Sequence, residues 1–306
     1  MSRPNKVSVI IPTFSHKQWI MDTLNSVFAQ TYTNYEVLVI DDGSTDGTVE
    51  ILKPLIDAGQ IRYIRTKNNG MAAARNTGIA AATGDLVSFL DDDDLWPVNK
   101  LAWQVEHLNV NPSCNAIAGA AQLLDGKTTR MLKFSTEPLT VMSLFDGCPF
   151  VSPGQLLIRT KVLIDAGGFP TGFWGADDFA LWFELAHKGG FHRVNKLALS
   201  YRLHENNASK NTPRMLRSLQ AVLELQIKKL PVADVKIARQ KARFLLADDA
   251  AYKLLVVARP RLTLNWLRQV GVSLLFWFKF GSFRNYSAVW QSIKRRIARQ
   301  YCQTRF

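Results

Sequence analysis

Four consecutive carboxylates, Asp91 to Asp94, close the stretch "LVSFLDDDDLWP" (Leu86 to Pro97), and two further acidic pairs stand at Asp41-Asp42 in "VIDDGST" and Asp177-Asp178 in "ADDFALWFELAHKGG". Like charges about 4 Å apart repel by roughly 4 kcal/mol at an effective dielectric near 20, so a run of four requires positive partners. Hard divalent cations such as Mg²⁺ or Mn²⁺ take oxygen ligands, and Mg²⁺ is commonly held by one or two carboxylates plus substrate phosphates. The chemistry suggested is the handling of a metal-bound diphosphate. An acid at a strand tip can accept a hydrogen bond from a base N–H or a ribose hydroxyl, although "DDGS" is equally a turn and helix-capping sequence. A carboxylate pair opening a helix either complements the helix dipole or supplies a general base.

Such groups act together only if the fold gathers them. "KVSVIIPTF" (Lys6 to Phe14) is almost wholly apolar and β-branched, the pattern of a strand buried on both faces of a parallel sheet. "HKQWIMDTLNSVFAQT" spaces Trp19, Ile20, Leu24, Val27 and Phe28 as a helix does. Val37 to Ile40 reads as a second strand, "TVEILKPLI" as a helix, "IRYIRT" as a third strand, "NNGMAAARNTGIAAAT" as an Ala-rich helix and "GDLVSFL" as a fourth strand. This alternation predicts an α/β domain with a mostly parallel sheet flanked by helices. Ligands of such sheets bind at the carboxyl ends of the strands. Pro12-Thr13, Asp41-Asp42 and Asp91 to Asp94 all lie at such ends and should converge on one cleft.

From Ala102 to Gly147 the pattern is irregular. Pro149 to Pro170 reads as a short strand and helix, and Ala176 to Gly190 as a helix ending at Gly189-Gly190. Long helical stretches follow a boundary near Lys210 to Pro213. The reading is therefore a domain over 1–210 and a basic, mainly helical region over 211–306.

Of the 306 residues, 47% are apolar, enough for an ordinary core. Cys114, Cys148 and Cys302 share no spacing that suggests a disulfide framework or a zinc site. The first apolar run is too short for a signal peptide, which predicts a cytoplasmic chain. Its net charge of +13 is divided unevenly: residues 1–213 carry −2 and residues 214–306 carry +15. A basic C-terminal third implies an anionic partner, either phospholipid headgroups or nucleic acid.

Taken together, "VSVIIPTF", "SVFAQTYTNYEVLVIDDGSTDGT", "NNGMAAARNTGIAAATGDLVSFLDDDDLW" and "ADDFALWFELAHKGG" resemble, in order and spacing, the family 2 glycosyltransferases over roughly residues 6–205. The resemblance implies the Rossmann-like GT-A fold and transfer of a sugar from a nucleotide diphosphate, UDP by preference. It implies that Pro12, Thr13 and Phe14 line the nucleoside pocket, that Asp42, with Asp41, binds the base, and that Arg75 lies near the nucleotide. Asp91 and Asp93 match the family's DxD pair, with Asp92 near the ribose and Asp93 as the preferred ligand of Mg²⁺ or Mn²⁺. Asp177 or Asp178 matches the base that deprotonates the acceptor, shielded by Trp174, Phe179 and Trp182. His204 matches a histidine associated with the diphosphate or metal, and "SPGQLLIR" (Ser152 to Arg159) lies where acceptor-side residues fall.

Neither the Q-x-x-R-W motif of processive synthases nor an apolar run of membrane-spanning length is present, so addition of one or a few sugars is expected. The absence of GxxxxGK[ST] and GxGxxG argues against an NTPase or a dehydrogenase. "LTLNWLRQVGVSLLFWFKFGSF" (Leu262 to Phe283) and "SIKRRIARQYCQTRF" suit a membrane surface better than a span. A helical packing or homodimer module is the alternative there, and nucleic-acid binding the least favoured. If the membrane reading holds, the acceptor is a lipid-linked saccharide and the chain is peripheral at the inner face of the cytoplasmic membrane. The competing functions are a sugar-phosphate nucleotidyltransferase and a non-catalytic nucleotide- or glycan-binding module.

Overall fold

A computed structural model of the chain describes residues 5–204 and 212–252. Over these residues the chain falls into two compact units, one formed by 5–141, 148–171 and 180–204, the other by 142–147, 172–179 and 212–252.

The elements run β1 (Val7–Thr13), α1 (Lys17–Phe28), β2 (Tyr35–Asp41), α2 (Thr48–Asp57), β3 (Arg62–Arg65), α3 (Met71–Ala81), β4 (Leu86–Phe89), α4 (Lys100–Val110), β5 (Ala116–Asp125) and β6 (Thr128–Met131). After them come α5 (Val141–Leu144), β7 (Leu156–Arg159), α6 (Thr160–Asp165), α7 (Asp177–Lys188) and β8 (Phe191–Arg202). All eight strands belong to the sheet of the first unit, in which β3, β2, β1 and β4 are parallel neighbours and β7 joins β4 to β5 in antiparallel sense. Strand β5 carries β8 parallel to itself along one edge and shares the other between β7 and β6.

Every residue of β1 is buried, as a strand covered on both faces requires. One cover is α1, which presents Ile20, Thr23, Leu24 and Val27 on a single face. The small residues of α3 allow a close approach on the sheet: a Cβ at Gly78 would stand 2.3 Å from Ile10 Cγ2. That helix therefore lies close enough to bury Arg75 beside the strand tips.

Register brings the tips level. Thr13 pairs with Asp41, and Ile10 pairs with Phe89. Leu90 N–H continues the ladder by donating to Ile10 O at 3.0 Å, so the acidic run emerges beside Pro12-Thr13. The amino end of the sheet is tied by Glu36, which accepts from Ser8 Oγ at 2.7 Å, Thr83 N at 2.8 Å, Thr83 Oγ1 at 2.6 Å and Arg62 Nη1 at 2.8 Å.

The stretch 102–147, expected to be irregular, contains most of α4 and all of β5 and β6. The sequence "AIAGAA" of β5 has little β-propensity of its own. Pairing along both edges fixes it as a strand.

In the second unit α8 (Thr212–Lys229) and α9 (Val232–Tyr252) form a helical pair. They bury Leu216, Val222, Leu223, Ala238, Ala242, Leu245 and Leu246. Lys241 Nζ holds Asp146 at 2.7 Å, and the Arg214 guanidinium lies 4.5 Å from the Trp174 ring centre. Among the described residues no helix is long and apolar enough to cross a membrane. The basic segment from Leu262, with Cys302, lies outside the described residues.

Candidate active site

The four acids of the run have four different surroundings. Asp91 receives Arg75 Nη2 on one oxygen at 2.6 Å and Ser152 Oγ on the other at 3.0 Å. Asp92 Oδ1 is 2.8 Å from His16 Nδ1, and Asp93 Oδ2 is 2.8 Å from His204 Nε2. Asp94, fully buried, accepts Arg202 N–H at 2.9 Å and closes the turn by donating its own N–H to Asp91 O at 3.1 Å. The counter-charge expected from a bound cation is thus supplied in part by the protein. The following Trp96 donates its indole N–H to Gly154 O at 3.0 Å and its main-chain N–H to Ser26 Oγ at 3.1 Å, so the Trp-Pro turn anchors the run to α1 and to the turn before β7.

Arg75 is positioned by its neighbour. Asn76 exchanges two 2.8 Å hydrogen bonds with the backbone of Phe169, and the Phe169 ring lies 5.0 Å beneath the Arg75 guanidinium. The "ARN" segment thereby sets the cation that meets Asp91. Beneath the run, Lys100 is fully buried against the Trp96 ring, 3.9 Å from its centre, and donates to Ser88 Oγ at 2.7 Å and Leu156 O at 3.2 Å. Burial pushes its pKa well below the usual amine value.

At the other tips, Asp41 builds the turn: it accepts Gly43 and Ser44 N–H on one oxygen and the Tyr63 hydroxyl on the other, with Arg65 at 3.8 Å. Asp42 holds the loop ahead of α3 by accepting from Thr66 Oγ1, Asn69 N–H and Gly70 N–H at 2.7 to 3.0 Å. Pro12 and Thr13 are buried, whereas Phe14 is 45% exposed. Ser15 adopts a left-handed φ of 55°, uncommon for a residue with a side chain. Its N–H donates to Ser44 Oγ at 2.8 Å, linking the β1 tip to the "DDGS" turn.

Three side-chain oxygens in this region, Thr13 Oγ1, Asp92 Oδ2 and Asp94 Oδ2, are buried without a hydrogen-bond partner. An unsatisfied buried oxygen costs about 1–3 kcal/mol, more for a charged group, so each is a place where a ligand would find an energetic return. His16, Asp92 and Asp93 each offer one atom within 4.8 Å of the others, a geometry able to hold a metal ion. The pKa of Asp93 is raised to about 6 by burial and by the charges of Asp92 and Asp91, against the pull of His204 and His16. The hydrogen bond to Asp92 raises His16 to about 9, despite burial. A cation would relieve the first group, and a carboxylate already serves the second.

The sequence reasoning did not assign His16, Trp19 or Arg202 to the site. Trp19 stacks on His204 with ring centres 6.0 Å apart, and the Arg202 guanidinium lies 4.3 Å from the Trp19 ring centre while its Nε donates to Asp93 O at 2.8 Å. The position of His16, three residues after the β1 tip, was the available signal for it. Asp177 and Asp178 open α7 and belong to the second unit; Asp177 is buried, and Asp178 Oδ1 accepts Phe179 N–H at 2.6 Å. Phe179 and Trp182 are buried too, the latter edge-on to Phe150 with ring centres 5.4 Å apart.

Residues 8–167 match the family described as Glycosyl transferase family 2. The chain is 32% identical over 197 residues to an uncharacterized glycosyltransferase of Rickettsia felis, covering 62% of this chain and 32% of that protein. It spans about a third of the length of the first Rickettsia relatives it matches. It is 31% identical over 210 residues to the UDP-Glc:alpha-D-GlcNAc-diphosphoundecaprenol beta-1,3-glucosyltransferase WfaP of Escherichia coli, covering 67% of this chain and 80% of that one. Among solved structures, S. aureus TarS 1-349 in complex with UDP-GlcNAc superposes with a TM-score of 0.69 at 18% identity, covering 98% of this chain and 93% of that one. Mannosyltransferase PcManGT from Pyrobaculum calidifontis, in complex with GDP-Man and Mn²⁺, gives 0.61 at 22% identity, over 95% and 86%. With its α/β sheet and its motifs at the strand tips, the chain belongs to glycosyl transferase family 2 and has the GT-A fold.

Proposed function

We propose that the chain transfers single sugars, with inversion, from a UDP-sugar to a hydroxyl of a lipid-linked saccharide. The observation that carries this is the pair of unpartnered buried oxygens, Thr13 Oγ1 and Asp92 Oδ2, at strand tips that also bear Asp42 and Asp93 and lie beside Arg75 of α3. Two relatives from Escherichia coli, WfgD and WfaP, have names that give UDP-Glc as donor and a diphosphoundecaprenol-linked GlcNAc as acceptor, which supports the donor and acceptor classes.

In this reading Asp42, with Asp41 shaping its turn, meets the base; Pro12 and Thr13 form the pocket wall, and the exposed ring of Phe14 borders it. Asp92 Oδ2 accepts from the ribose. Arg75 brings positive charge toward the diphosphate. Mg²⁺ or Mn²⁺ fits the donor set of Asp93 with Asp92 and His16, and Asp91 and His204 complete the surroundings; when bound, such a cation neutralises charge developing on the leaving diphosphate. Asp177 or Asp178 removes the acceptor's proton as general base. One displacement without a carboxylate nucleophile gives inversion. The basic segment from Leu262 is the proposed contact with anionic lipid.

The test is a product assay with UDP-sugars, Mn²⁺ and a lipid-diphosphate-linked saccharide. UDP release coupled to formation of an elongated lipid is expected. Pyrophosphate release from a sugar phosphate and an NTP, or failure to bind any nucleotide sugar with Mn²⁺ present, would overturn the reading.

A further inference from the structure

At the amino end of the same sheet, remote from the acidic run, three potential soft-metal ligands come together: His107 on the last turn of α4, Cys114 just ahead of β5, and His192 at the start of β8. No sequence spacing announces them, since His192 is 85 residues from His107. His107 Nε2 and His192 Nδ1 lie 2.9 Å apart with their rings edge to face, and Cys114 Sγ lies within 4.8 Å of a ring nitrogen of each. Cys114 is fully buried, and both histidines are partly exposed.

From this geometry we infer that His107, Cys114 and His192 form a binding site for one Zn²⁺ ion. Two imidazoles and a thiolate are a donor set suited to zinc, with bonds of about 2.0–2.1 Å to nitrogen and about 2.3 Å to sulfur. Tetrahedral bonds of that length set the two nitrogens about 3.4 Å apart, so the rings need to open by only about half an ångström. The fourth position is left to water.

The ligands stand on a backbone held independently of them. Arg159 donates Nε to Cys114 O and Nη2 to Leu108 O, both at 2.8 Å, fastening the end of α4 to the cysteine loop. Asn115 N–H and Ala116 N–H both donate to Gly190 O, which brings the β8 start against that loop. A side chain at Gly190 is excluded, because its Cβ would stand 2.4 Å from Ser113 O. Sites whose supports are fixed beforehand bind with less loss of freedom.

Binding replaces two hydrogen bonds. The Cys114 thiol, now donating to Ala116 O at 3.3 Å, gives its proton to solvent and bonds the metal as thiolate. The proton between the imidazoles moves to the outer nitrogen of its own ring, leaving His107 Nε2 and His192 Nδ1 to donate their lone pairs.

Cobalt(II) reports this site directly, because a thiolate ligand gives it an intense near-ultraviolet charge-transfer band that oxygen ligands at the acidic run do not. The 306-residue chain carrying Cys148→Ser and Cys302→Ser, stripped of metal, is titrated with Co²⁺ and then with Zn²⁺. The band is expected to saturate at one equivalent and to vanish as Zn²⁺ displaces Co²⁺. Cys114→Ser should abolish it; His107→Ala and His192→Ala, at partly exposed positions, should each weaken Zn²⁺ binding at least tenfold in protein whose circular dichroism is unchanged. No band in the double variant, or a band indifferent to both histidine substitutions, overturns the assignment.

Discussion

Glu36 at the amino end of the sheet and Asp93 at the carboxyl end are carboxylates of similar exposure, 11% and 14%. Burial acts on both in the same direction, yet Glu36 is held at about 2 and Asp93 is pushed up to about 6. The difference lies in the neighbours. Glu36 meets donors from Ser8, Thr83 and Arg62, which overcome the cost of burial, whereas Asp93 faces Asp92 and Asp91. One carboxylate completes a structure; the other is kept in an environment that a cation would improve. Fold and function thus use the same chemical group with opposite electrostatics, at opposite ends of one sheet.

The comparison breaks first at Asp93. Asp93→Ala should reduce sugar transfer by about 10³-fold while leaving the melting temperature and far-ultraviolet spectrum near those of the parent; transfer at the parental rate would remove the functional half of the contrast. Asp177→Asn and Asp178→Asn, made separately, should identify the base: one of them lowers turnover by about 10²-fold with nucleotide affinity kept, as for loss of a general base. If neither does, proton removal belongs elsewhere.

Glu36→Gln addresses the structural half. A folded pKa lowered from 4.5 to about 2 corresponds to stabilisation on the order of 3 kcal/mol. This is fully present above the unfolded-state pKa and lost as pH falls through about 2. The stability gap between parent and Glu36→Gln in urea unfolding should therefore be widest above pH 5 and close toward pH 2, with donor affinity unchanged. The smallest effect is expected from Thr13→Val, which keeps shape and removes the unpartnered hydroxyl: nucleotide affinity should fall about fivefold, roughly 1 kcal/mol, while thermal stability holds or rises. A fall in stability with affinity intact would mean that the hydroxyl serves the fold.

Much of the carboxyl end was legible in the sequence because its message is local. Strands β1, β2 and β4 are continuous apolar runs, and each ends in the residues that matter. The fold from β1 to β4 followed from that alternation. Arg75 and His204 were placed near the run by the resemblance, but its pairing with Ser152, His16 and Arg202 was not legible, since these lie 61, 76 and 108 residues from Asp91, Asp92 and Asp94. Only the register of the sheet and the packing of α1 bring them there. Strand β5 was obscured for the opposite reason: Ala and Gly say little locally, and its identity comes from the strands on either side. The three ligands around Cys114 combine both difficulties, because two of them come from opposite ends of the α4-to-β8 segment.

The separate partners of Asp91 to Asp94 also have a consequence for inheritance. Aspartate codons differ only in their third base, so four in succession form a near-repeat in which a unit can be gained or lost on copying. Losing one aspartate here would leave three acids to meet Arg75, His16, His204 and the Arg202 N–H, with each survivor displaced by one place relative to the Trp96 anchor. Gaining one would leave an acid without a partner. What looks on paper like a tract tolerant of drift is a sequence of four distinct positions, and a library of single-residue insertions and deletions through it should yield no active members.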